Sequence, residues 1–250
     1  VTATSQGKAS GPLLEICVDD VAGLEAAIAG GADRIELCSA LGSGGLTPSR
    51  GFMAVAAKAP IPVHALIRPR AGHFAYSMDE IAVMEADIHA AREAGLAGVV
   101  IGATTDTAAL DIDAIRRLIK AAGGLDLTLH RAIDVVADMQ VALDLAIELG
   151  FSRVLTSGGA RHAEQGLAAI ERLARHGAGR ISIMPGGGVR PENAALFLAV
   201  PEIRELHASC SQADSGQDRL VELGFEDQSV RRTDADTVRR LKASMGMRSL

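Results

Sequence analysis

Leu13-Leu14-Glu15-Ile16-Cys17-Val18 is a short apolar run, bounded by Gly11-Pro12 before it and Asp19-Asp20 after it. Those limits predict a buried β-strand followed at once by a capped helix. Arg34-Ile35-Glu36-Leu37-Cys38 repeats the ending, again with a Glu and a Cys two apart. Side chains two apart on a strand share a face. If the two strands are parallel neighbours, two carboxylates and two thiols converge on one patch. Adjacent parallel strands lie roughly 4.8 Å apart, so Cys17 and Cys38, if in register, bring two sulfurs together.

The pattern continues outward from this pair. A helix over residues 21–29 is stopped by Gly30-Gly31, and the second strand follows. Ser49 caps a helix over residues 51–58, which Pro60 and Pro62 end. Further strands are expected at 63–67, 97–101, 126–130, 153–156, 180–184 and 203–207. Helices are expected at 77–94, 113–121, 138–149, 163–175 and 191–198. The first of these opens on the capping box Ser77-Met78-Asp79-Glu80. Strand–helix alternation implies parallel pairing. Eight units at a spacing of roughly 25 residues make an α/β fold of the (β/α)8 TIM type, a single domain. A doubly wound open sheet is the runner-up, and it more often carries a glycine-rich dinucleotide turn after its first strand, absent here. Residues 1–11 read as a flexible tail and 12–250 as the barrel. Residues 208–233 read as an irregular polar segment, and about 235–245 as the last helix.

The composition narrows the partners. Of 250 residues, 48% are hydrophobic and only six are aromatic: Tyr76 and five Phe. The core is therefore aliphatic, and no base-stacking surface is advertised. A net charge of −6 gives no reason to expect nucleic acid or an anionic membrane. Three cysteines imply no disulfide framework. With neither a membrane span nor a signal peptide expected, the chain reads as cytoplasmic.

In such a barrel, function sits at the C-terminal ends of the strands. Those ends offer Glu15 and Cys17, Glu36 and Cys38, Arg68 and Arg70, His130 and Arg131, Ser157, Gly186 to Gly188, and His207. Buried charges are costly unless paired. The ring therefore reads either as a ligand-binding mouth or as an ion-pair network plugging the barrel. Glu15, Glu36 and His130 are the candidate acids and bases. Arg68, Arg70 and Arg131, with His207, are the candidate clamps for an anion. Ser157, Gly158, Gly187 and Gly188 can present backbone amides to the same anion, or can simply make tight turns. Cys17 and Cys38 admit three readings: small buried hydrophobes, a two-thiolate site of the kind that selects Cu(I), or a redox pair. No CxxC, HxH or HExxH appears, and no nucleotide cofactor is expected.

Taken in order, several segments resemble the CutC family. They are Glu15-Ile16-Cys17-Val18-Asp19, Glu36-Leu37-Cys38 with Gly44-Gly45-Leu46-Thr47-Pro48-Ser49, and Ile67-Arg68-Pro69-Arg70. Met84 to Ile88, Leu129-His130-Arg131-Ala132, Asp134, and Leu155-Thr156-Ser157-Gly158 continue the likeness. Met184-Pro185-Gly186-Gly187-Gly188 and Glu205-Leu206-His207-Ala208-Ser209 complete it. His73 departs from the family pattern, which has Asp there. The resemblance implies a TIM-type barrel that self-associates as a homo-oligomer in the cytoplasm. It also implies a copper role, with Cys17 and Cys38 at the suggested metal positions. Two functions stand side by side. One is Cu(I) binding in copper homeostasis. The other is an isomerase or lyase acting on a small anionic, phosphorylated or sugar-like substrate.

Overall fold

The computed structural model describes residues 11–225 and 227–246. Eight strands carry the barrel: β1 (Leu13–Val18), β2 (Arg34–Leu37), β3 (Val63–Leu66), β4 (Gly98–Ile101), β5 (Asp126–Leu129), β6 (Arg153–Thr156), β7 (Ser182–Pro185) and β8 (Glu205–Ala208). Between them run α1 (Val21–Gly30), α2 (Arg50–Ala56), α3 (Met78–Ala94), α4 (Ile112–Ala122), α5 (Met139–Glu148), α6 (Leu167–Gly177) and α7 (Ala194–Leu198). After β8 come β9 (Ser211–Ser215), α8 (Asp218–Glu222), β10 (Ser229–Thr233) and α9 (Ala235–Gly246).

All the barrel pairings are parallel, in the order β7-β6-β5-β4-β3-β2-β1-β8. This is the expected (β/α)8 barrel, nearly closed, with its seam between β7 and β8. The seam is tight at its upper end, where a Cβ added to Gly186 would stand 3.2 Å from the His207 Cβ. Capping follows the sequence. Asp20 accepts from Gly23 N–H at 2.5 Å, and Ser77 and Glu80 complete the capping box of α3.

Strand parity divides the interior in two. Leu14, Ile16, Ile35, Leu37, Val99, Ile101, Leu129, Val154 and Leu206 join the large aliphatic core between barrel and helices. The opposite parity faces the barrel axis. There the apolar residues are few: a small cluster of Cys17, Cys38, Leu66 and Val100, with Leu155 and Met184 apart from it. The remaining inward positions are largely polar or charged.

Three local expectations are corrected. Residues 208–233 are not irregular throughout: β9 and β10 form an antiparallel hairpin with α8 between them. The polar, glycine-containing composition hid it, because neither strand buries an apolar face. The helix expected from Ala163 starts at Leu167, because 163–166 turn tightly against Ser157 and Gly158. The helix expected from Pro191 starts at Ala194. The expected tail falls almost wholly on residues 1–10, outside the described residues.

Candidate functional site

The inward residues build from the bottom of the barrel upward. The first residues of four strands are Arg34, Asp126, Arg153 and Glu205. Arg34 pairs with Glu15 and with Glu205 at 2.5 Å, and also reaches the Met184 sulfur at 3.3 Å across the barrel. Arg153 pairs with Asp126 at 2.8 Å and Glu205 at 3.2 Å, and donates to the Thr128 hydroxyl. His64 lies 3.6 Å from Asp126 and is buried. These groups form an ionic plug below the mouth. None of the four strand-start residues was assigned such a role from sequence; each looked like a polar strand boundary. The available signal was parity within each strand, which puts Arg34 on the face of Glu36, Asp126 on that of His130, Arg153 on that of Ser157 and Glu205 on that of His207.

Glu15 belongs to this plug. Its side chain is fully buried, and its partners are Arg34 and His207. Burial pushes its carboxyl up, but Arg34 and His207 outweigh that and hold it well below the ordinary carboxylate range. Glu15 does not line the mouth.

One layer higher, β1 and β2 are offset. Cys17 pairs in register with Glu36, and Glu15 with Arg34, so Cys38 stands beyond the Cys17 level. Cys17, Glu36 and His207 offer three donor atoms within 4.8 Å of one another. Cys38 joins no such group among the described residues. His207 Nδ1 bonds Glu15 Oε1 at 2.8 Å, and Nε2 lies 3.6 Å from Glu36 Oε2. A carboxylate on one ring nitrogen fixes the imidazole, and the other nitrogen serves a ligand once it gives up its proton. Burial opposes charge on His207, yet Cys17, Glu15 and Glu36 around it hold it well above its ordinary value. Glu36 is pushed up, chiefly by burial. Burial and the adjacent Glu36 push the Cys38 thiol well up. Sulfur, imidazole and carboxylate together suit a borderline or soft ion, with Cys17 the soft donor.

Above this layer the mouth opens into a cavity of about 840 Å3. Cys17, Glu36, Cys38, Arg68, His130, Arg131, Gly187, Gly188 and His207 all line it. Arg68 is 7% exposed, and its guanidinium donates to the carbonyls of Ser43, Gly45 and Gly72 at 2.9–3.1 Å. Phe74 packs over Arg68 and against His130. His130 Nδ1 accepts from the Ala132 N–H at 3.0 Å, which makes Nε2 the protonated nitrogen of the neutral ring. Burial, helped by Arg68, lowers His130 to about 3. His130 is therefore a neutral donor rather than a base poised near neutrality.

Other expected clamps are used elsewhere. Arg70 turns away from the cavity, pairs with Glu80, and holds the carbonyls of His73 and Ala75 at 2.8 Å. It fastens the loop before α3. The amides of Ser157 and Gly159 donate to the Asp134 carboxylate at 3.0 and 3.1 Å, and Gly158 N–H donates to Thr156 Oγ1 at 2.9 Å. The expectation that Ser157 and Gly158 hold an external anion is therefore corrected, because Asp134 is the anion of that turn. Arg131 completes the group, binding Asp134 Oδ2 at 2.8 Å and Ser157 Oγ at 2.6 Å. Reasoning from strand ends alone also missed the roof. Asp227, Val230 and Arg231 of the hairpin segment, with Leu41 from the loop after β2, line the same cavity.

Comparison with known proteins agrees with this architecture. The model of the CutC family matches residues 12–212. A family protein CutC of Rhizobium meliloti (strain 1021) is 54% identical over 233 residues, covering 93% of this chain and 95% of its own. A solved structure from Streptococcus agalactiae, provisionally assigned as a copper homeostasis protein CutC, is 33% identical with a TM-score of 0.76. It covers 79% of this chain and 98% of its own. A native KDPGal structure shares the fold alone, at 16% identity and a TM-score of 0.59, covering 96% and 97% of the two chains. Among the described residues, no helix is long and apolar enough to cross a membrane.

Proposed function

Because the chain belongs to the CutC family, we propose that it serves copper homeostasis by holding Cu(I) as cargo on Cys17. His207 and Glu36 act as co-ligands at the floor of the barrel mouth. The observation that carries this reading is the clustering of the three donors within 4.8 Å, with Glu15 orienting His207 from behind. Thiolate and imidazole are the donors Cu(I) favours. Cys38 lies outside the group, so it supports the site through packing with Cys17 rather than as the second thiolate. A reducing cytosolic setting fits three free, buried cysteines. Self-association follows from the family likeness and is checked by sedimentation.

Competition of the reduced protein with a Cu(I)-selective chelator tests the site. Cys17→Ser and His207→Ala are expected to weaken binding strongly, and Glu15→Gln by roughly tenfold, as for an outer-shell partner. Cys38→Ser is expected to change it little. Equal affinity in all four variants sinks the proposal. Equal losses in the two cysteine variants restore the two-thiolate pair.

One observation favours a second reading. A cavity of about 840 Å3 is far larger than an ion needs, and it falls within the roughly 300–1,000 Å3 typical of small-molecule sites. In that reading the barrel is an isomerase or lyase acting on a small anion, with Glu36 and His207 as the proton-transfer pair. Its first requirement is a small anion that binds the mouth.

A further inference from the structure

The arginines that face the barrel interior are not equivalent. Arg34 pairs with Glu15 and Glu205, Arg153 with Asp126 and Glu205, and Arg131 with Asp134. Arg68 is buried to the same degree as Arg34 and Arg153. Among the described residues it pairs with no carboxylate. Its Nη atoms donate to three backbone carbonyls. Carbonyl dipoles solvate a cation, but they do not cancel its charge. A buried, uncompensated charge is costly to keep. Arg68 lines the cavity.

Two donors on the same wall lack acceptors. Arg68 Nε is buried with no hydrogen-bond partner, and so is His130 Nε2. Because Nδ1 of His130 accepts from Ala132 N–H, its Nε2 carries the proton and can only donate. Phe74 joins the two groups. Its ring centroid lies 4.8 Å from that of His130 and 5.2 Å from the Arg68 guanidinium carbon. The wall thus holds one cation without a counter-ion, two N–H groups without acceptors, and an aromatic face between them. Both donors are buried, so a ligand reaching them must move neighbouring side chains, and Phe74 contacts both groups.

We infer that this wall binds the carboxylate of a small organic acid, with Arg68 as its counter-ion and His130 Nε2–H as a second donor. The inference rests on the second functional reading and names the class of its ligand. A carboxylate fits better than a phosphate for two reasons. One guanidinium balances one carboxylate charge, and its planar fork matches that group. Of the two glycine turns at the mouth, the one after β6, beside Arg131, is already filled by Asp134.

The test uses the full chain and a panel of acetate, pyruvate, malonate and succinate, with inorganic phosphate and methyl phosphate alongside. Thermal unfolding and calorimetry report binding. At least one carboxylate is expected to raise Tm in a concentration-dependent way. The affinity is expected to fall by about tenfold or more in Arg68→Lys, which keeps the charge but loses the fork. Arg68 also ties loop carbonyls, so its variants risk misfolding. The wild-type protein supplies an independent readout: the Arg68 Nε–H signal in 15N-edited spectra shifts on saturation. A carboxylate that saturates the protein without moving that signal overturns the inference. Binding of the phosphates alone, lost in Arg131→Met, overturns it while leaving the small-anion reading standing. No binding by any member of the panel removes both.

Discussion

Glu15 and Glu36 occupy the same place in two copies of one tripeptide pattern and meet opposite electrostatic fates. The offset of β2 against β1 is the cause, since it sets Glu36 level with Cys17 and Arg34 level with Glu15. Glu15 has a guanidinium beside it and is held ionised. Glu36 has only His207 within ion-pair reach among the described residues, and burial pushes its carboxyl up. Sequence displays the repeat but not the stagger between strands, so the two glutamates looked alike. The same stagger decides the cysteines, whose convergence was conditional on register: Cys38 stands one level beyond Cys17, and the two still pack in one small cluster. Removing Arg34 takes the guanidinium from Glu15, leaving it only His207, and leaves Glu205 only Arg153. Arg34→Met is therefore expected to cost about 3–5 kcal/mol in urea unfolding. Glu36→Gln removes no ion-paired guanidinium, and the cost is expected to stay below about 1 kcal/mol. Comparable losses in the two variants contradict this division of the ring into plug and mouth.

At the scale of elements, the βα turn after β6 shows how a glycine-rich segment can mislead. Ser157-Gly158-Gly159 has the composition of an anion cradle, and the amides are indeed presented together. Asp134, from the segment after β5, occupies them and draws Arg131 alongside. The turn also packs against the approach to α6. A Cβ on Gly166 would collide with the Ser157 carbonyl, and one on Gly158 with the Gly166 carbonyl. That backbone contact explains both glycines and the late start of α6. Gly166→Ala is thus expected to destabilise by about 1–3 kcal/mol through overpacking, and to loosen the Asp134 contacts that orient Arg131. Chemical denaturation reads the first effect. Faster amide exchange at Ser157 and Gly159 reads the second, and unchanged protection there contradicts the proposed coupling. Short apolar runs bounded by turn residues made the barrel strands legible. The β9–β10 hairpin was not legible, because strands that only roof a cavity need no apolar face.

The whole molecule was legible as a barrel because eight apolar runs alternate with eight helical stretches, a pattern set by burial on the outer face of each strand. Its interior was less legible. A polar residue at a strand start looks the same whether it meets solvent or an ionic plug. That interior sets how stability depends on pH. Burial lowers His64 to about 4 and His130 to about 3. The same imidazoles in the unfolded chain titrate near 6.5. Between pH 6.5 and about 4 the unfolded chain therefore takes up protons that the fold refuses, and stability falls as pH falls. Glu36 works in the opposite direction. Its raised carboxyl holds a proton that the unfolded chain has released above about pH 4.3, so it offsets part of the slope. His207 adds no slope in that window, because both states are protonated there; its contribution is lost as pH rises above it. Glu15 adds its own loss only below the unfolded carboxylate range. Replacing His64 or His130 by Asn should therefore flatten the stability profile between pH 6.5 and 5 by up to about 1.4 kcal/mol per pH unit for each imidazole removed. Urea titrations at closely spaced pH values measure that slope. A profile that keeps its full steepness in both variants means that the fold admits the protons, and that the interior around these rings is wetter than their burial implies.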